Sequence, residues 1–149
     1  MQRLTWATCW LMLGIGLVLT FAQQAVADPA ALQGEWTATK ATRDGKAADD
    51  VLGHRLSISE TNFKIQSSAG APLYAGTIRL HPDTKPAAID FEHNEGSLKG
   101  RDWKGIYTLD GDTLTICDNA PDMERGRPAA FEAKKGSGYV LIAFTRAKP

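Results

Sequence analysis

Three acids, Asp110, Asp112 and Asp118, one cysteine, Cys117, and three histidines, His54, His81 and His93, are the side chains here whose types bear on chemistry. A carboxylate cluster could hold calcium or exchange protons. Asp110-Gly111-Asp112 fits better as a hairpin turn whose side chains bond nearby backbone N–H groups, with Asp-Gly supplying the positive φ of a type I′ turn. The alternating oxygen ligands and distal Glu of an EF-hand-like loop are missing. The histidines lack metal-ligand spacing. His81 adjoins Pro82, and His93 ends a strand in a polar context, so both are expected at the solvated surface. Cys117 alternates with Thr113 and Thr115 against Leu114 and Ile116. It faces either a cavity, as a ligand contact or haem axial ligand, or the packed interior where free cysteines commonly sit. A nucleophilic thiol would need a cation or histidine beside it. No Gly-x-Ser-x-Gly elbow and no phosphate-binding glycine loop occur, so no catalytic residue, metal or cofactor is expected.

Aromatic residues are the other signal. Tyr74, Phe91, Trp103 and Tyr107, with Cys117, are the candidates for lining an interior that takes a small apolar ligand. Packing in a filled core is the alternative, because a filled and a hollow barrel share one alternation pattern. Asp90 lies between Ile89 and Phe91 and points away from them. If that outer face is covered, Lys85, Arg101 or Arg127 are its candidate partners. Arg127 itself is expected to anchor a loop by bonding backbone carbonyls.

Short strands must position these groups. Apolar residues alternate in runs broken by Gly, Asn, Asp and Pro about every ten residues, the pattern of a β-sandwich or barrel. Strands are expected at 34–42, 54–59, 63–65, 74–80, 87–91, 103–109 and 113–117, with a closing hairpin of 131–133 and 139–145. Residues 47–53 form a helical turn or loop. Eight or nine antiparallel strands hide their edges best by closing, which gives a single all-β barrel with a two-sheet sandwich as the alternative.

The ends set the compartment. Arg3, an apolar stretch from Leu4 to Ala22, and Ala25-Val26-Ala27 are expected to form a secretory leader cleaved after Ala27, leaving residues 28–149 as one domain, with an uncleaved membrane anchor as the alternative. No stable membrane anchor would then remain, and the mature part would be periplasmic or extracellular. Lys and Arg equal Asp and Glu at 17 each, with no long run of one sign, which disfavours a nucleic-acid partner. Cys9 leaves with the leader, so Cys117 has no partner for an internal disulfide.

Gly34-Glu35-Trp36 opens the first strand and Arg146 ends the last. A guanidinium over a tryptophan at a barrel mouth gains about 0.5–2 kcal/mol while keeping its charge wet. The wider pattern comprises Leu32-Gln33-Gly34-x-Trp36 and Lys85-Pro86-x-x-Ile89-Asp90, then Gly105-Ile106-Tyr107-x-Leu109-Asp110-Gly111-Asp112-Thr113-Leu114-x-Ile116-Cys117. Arg127-Pro128-x-x-Phe131 and Arg146 complete it. Together these resemble an uncharacterised family of exported lipocalin-like proteins, best known from planctomycetes, through essentially the whole mature chain. Thr108 departs from the acidic residue usual there. The resemblance implies an extracytoplasmic lipocalin-like β-barrel, with Gly34, Trp36 and Arg146 closing it, and no particular activity. The functional expectation is a non-enzymatic module holding a small apolar or amphipathic ligand. The alternatives are a packed barrel that meets a protein partner through loops 81–86 and 118–128, and an enzyme built on a cavity-facing Cys117.

Overall fold

Alternation with period two decides this fold, because each strand places every second side chain on one face of a sheet that closes on itself. The computed structural model describes residues 28–148; the expected leader, 1–27, lies outside them. Nine strands follow one another: β1 (Gly34–Arg43), β2 (Lys46–Ala47), β3 (Arg55–Ser59), β4 (Asn62–Gln66), β5 (Pro72–His81), β6 (Ala88–His93), β7 (Asp102–Asp110), β8 (Thr113–Asp118) and β9 (Val140–Arg146). Neighbours from β3 to β9 pair antiparallel in chain order, β1 pairs β3, and β1 also pairs β9. That last pairing closes an eight-stranded barrel and excludes the open sandwich. The two-residue β2 extends β1 as a short flap.

Register places the interior row by row. Trp36 lies opposite Leu56, Leu56 opposite Ile65, and Ile65 opposite Tyr74. On the far side Ile78 lies opposite Phe91, Phe91 opposite Trp103, Tyr107 opposite Ile116, and Ile116 opposite Ile142. The register shift between Ala38 and Lys40 in β1 moves the phase by one residue, so Ala41 and Arg43 continue the inward side opposite Ile142 and Val140. Bulges re-aim side chains in this way. One row leaves no room for a side chain at all: a Cβ on Gly76 would collide with the Glu92 carbonyl oxygen, so β5 and β6 approach as only glycine permits.

Three sequence expectations change here. The residues 131–133 form no strand; β9 pairs instead with β8 and β1, and residues 119–139 run as a long strap. The turn after β7 has Gly111 and Asp112 as its central residues, and only Gly111 takes positive φ (57°), the pattern of a type II′ turn. The type I′ turn lies at Asp44-Gly45, where both φ angles are positive (53° and 73°) between paired Arg43 and Lys46. His93, expected at the surface, is buried, because it follows Ile89 and Phe91 at the same spacing of two. Its polar neighbours Glu92 and Asn94 hid that phase.

Candidate functional site

The two ends of the barrel are built differently. At one end a 3-10 turn, Pro29–Leu32, lies across the opening and buries Leu32 completely. Trp36 is also fully buried, and its indole N–H donates to the Leu32 carbonyl at 2.9 Å. Arg146 stacks over that ring, 4.1 Å from its centroid, and donates to the carbonyls of Gln33 (2.8 Å) and Ala31 (2.7 Å). The guanidinium and the turn thus cover the ring, and this end is shut.

The opposite end holds a cavity of about 340 Å³. Its walls are largely apolar: Leu56, Ile65, Tyr74, Phe91, Trp103, Ile116, Ile142 and Phe144 line it from the strands. Val51, Leu98, Pro121 and Met123 come from the loops around its mouth. Arg43 and Asp50 also stand on its border, paired through two bonds of 3.1 and 2.8 Å, so their charges offset each other. His54 completes the polar lining together with Asp118.

Asp118 is the unusual member. It is the last residue of β8, opposite Gly105 on one side and Val140 on the other, and it follows Leu114 and Ile116 on the inward face. Gly105 makes its space, since a Cβ there would come within 3.0 Å of the Asp118 Cβ. Oδ1 accepts from the Ala120 N–H at 2.9 Å. Burial raises the carboxyl to a pKa of about 7 against the modest opposing effect of that N–H. A carboxyl poised there exchanges its proton near neutrality.

Below the cavity the aromatic rings interlock edge to face. Tyr74 and Trp103 centroids are 4.8 Å apart, His93 and Trp103 4.3 Å, and Phe63 and Phe91 5.0 Å. The His93 Nδ1–H donates to the Arg101 carbonyl at 2.9 Å, which leaves Nε2 a bare acceptor among rings. Burial lowers its pKa, so the ring is neutral. The Trp103 N–H and the Tyr107 hydroxyl are likewise buried without partners. Burial also raises the Tyr107 pKa.

Of the sequence candidates, Tyr74, Phe91 and Trp103 line the cavity, whereas Tyr107 and Cys117 do not. Tyr107 packs one layer deeper in the filled core. Cys117 lies opposite Ile106 and Leu141 on the outer face of the sheet and is buried there by the strap, its thiol donating to the Glu132 carbonyl at 3.5 Å. Burial first, then the charges of Asp118 and Glu132, push that thiol up to about 11, against the Glu132 hydrogen bond. It stays protonated and shielded, so a cavity-facing role fails on geometry.

The strap owes its position to Arg127. One guanidinium nitrogen donates to the carbonyls of Gly105 (2.7 Å) and Ile89 (3.2 Å), and the other pairs with Asp90 at 2.6 Å. His81 holds the second Asp90 oxygen at 2.8 Å. Burial alone would raise the Asp90 carboxyl, but these two partners outweigh it and the net shift is downward. Asn119 fixes the start of the strap, accepting from the Lys104 N–H and donating to the Arg125 carbonyl.

Sequence reasoning placed Asp118 in a loop and grouped it with Asp110 and Asp112. Extending the Leu114–Ile116 alternation by one step would have turned it inward. No family model, no curated protein and no solved structure matches this chain.

Proposed function

We propose that this protein is an exported binding module of the lipocalin-like kind, carrying a small apolar or amphipathic molecule in the open end of its barrel. The observation that carries this reading is the cavity itself. At about 340 Å³ it falls at the small end of the range for ligand sites, roughly 300–1,000 Å³, and its walls are mostly hydrocarbon and aromatic. A core meant only to be stable would fill that space, since each unfilled volume costs contacts. A domain acting through its surface would want an exposed apolar patch. Among the described residues the exposed large hydrophobics are only Leu52 and Leu73, each a little over a third exposed.

Native mass spectrometry of the full chain's exported product, purified without detergent, tests the reading. The expected result is a protein that begins at Asp28 and carries extra mass that organic extraction removes. Bare protein that also fails to take up small amphiphiles in titration would overturn it.

A further inference from the structure

We infer that the cavity selects amphipathic cations, meaning molecules with an apolar, aromatic-sized body and one protonated amine that pairs with the Asp118 carboxylate. This rests on the binding reading above and names the ligand class for the same cavity.

The case starts from where polar atoms stand. Asp118 is only 5% exposed, yet it lines the cavity. Oδ1 is occupied by the Ala120 N–H, and none of the ion pairs among the described residues involves this carboxylate. A buried acid with one free oxygen costs stability, and an entering donor would relieve that cost. Tyr74, Phe91, Trp103 and Phe144 line the same cavity, and aromatic rings attract a cation placed over them.

Charge elsewhere does not compete. Arg43, the one strong base on the cavity border, is held by two bonds to Asp50 and leaves no free cation for an anionic head. A fatty carboxylate would have to seat its charge beside Asp118 or leave it at the mouth. Other titratable groups near Asp118 are Lys104 on β7, Cys117 beside it, Asp122 in the strap, Tyr139 before β9 and His54 across the cavity, and none pairs with it. The raised carboxyl is half ionised near pH 7, so amine binding should tighten as pH rises to 8 and release a proton on the way.

Calorimetric titration of the exported protein at pH 8 with 4-phenylbutylamine, 4-phenylbutanol and 4-phenylbutyrate tests this. The amine should bind at least about tenfold tighter than the carboxylate, with the alcohol between them, as a buried charge-assisted hydrogen bond requires. Asp118→Asn should abolish the amine's advantage while the alcohol still binds; Asp112→Asn, which removes a carboxylate beside Arg146 at the far end of the barrel, should keep the advantage. Alcohol binding without an amine preference, or a preference that survives Asp118→Asn, would overturn the inference and leave the binding module standing. If none of the three probes binds, the inference falls, and the binding module falls with it only where native mass spectrometry also finds bare protein.

Discussion

At the closed end of this barrel Trp36 finds a partner and a cover for all that it buries, and at the open end Trp103 does not. At the closed end Trp36 has its N–H bonded, its ring covered by Arg146 and its neighbour Leu32 sealed beneath the 3-10 turn. At the open end Asp118 is buried with a bond to one oxygen only, and the Trp103 N–H beside a space of about 340 Å³ and the Nε2 of His93 packed against that ring are buried without partners. One sequence, one sheet and one alternation serve both. The difference teaches where the fold's stability is concentrated and where some of it has been given up, the pattern expected of a site held on a rigid scaffold.

Removing the closed end's anchor should have the largest effect. Trp36→Ala deletes a fully buried ring together with its stacking on Arg146, and truncations of this kind cost about 3–5 kcal/mol. Urea unfolding should show that loss. Trp103→Ala, bordering a cavity already present, should cost measurably less. Equal losses at both sites would erase the contrast between the ends.

Asp118→Asn should move stability the other way. In the folded state the carboxyl titrates near 7, above its ordinary 3.8, so the fold holds the proton more tightly than the unfolded chain does. Its contribution is therefore most favourable at low pH and is lost as pH rises from about 4 to 7. The shift corresponds to a ceiling of roughly 4 kcal/mol. Thermal unfolding should find the Asn variant more stable than the parent at pH 8 and nearly equal at pH 4. A variant less stable at both would mean that the open end has no dehydrated charge.

The sequence made the closed end legible and left the open end obscure, for a physical reason. Trp36 and Arg146 are large, of distinctive type, and tied to the first and last strands, so chain order alone brings them together. The strands were readable because apolar alternation is local. Asp118 and His93 obey the same alternation, but each is the terminal residue of its strand, where polar character and an adjoining loop suggest solvent. The strap was misread because Phe131 and Ala133 alternate like a strand, although their segment covers the outer face and pairs with no strand. Burial on both faces also separated Cys117 from the cavity, since alternation says which residues share a face and not which face is inside.

That strap offers a middle-sized test. Arg127 ties it to two carbonyls and to Asp90, all part-buried, and Arg127→Gln should cost about 2–3 kcal/mol. The same change should loosen the cover on Cys117, so a thiol reagent at pH 8 should label the variant faster than the parent. Unchanged labelling with lost stability would show that the strap is held chiefly by other contacts, such as those of Asn119.

The smallest effect separates the ends most sharply. Arg146→Lys keeps a positive charge over Trp36, but an ammonium cannot reproduce the fork that reaches the Ala31 and Gln33 carbonyls together. Losing one of those bonds and part of the stacking should cost about 1 kcal/mol, seen as a lower urea midpoint at unchanged slope. The affinity for a cavity probe such as 4-phenylbutanol should stay within about twofold of the parent, because about 1.4 kcal/mol at the cavity would be needed for a tenfold change. A weakened probe with little loss of stability would mean that the Arg146 clamp shapes the cavity at the far end, and that the two ends are coupled through the barrel.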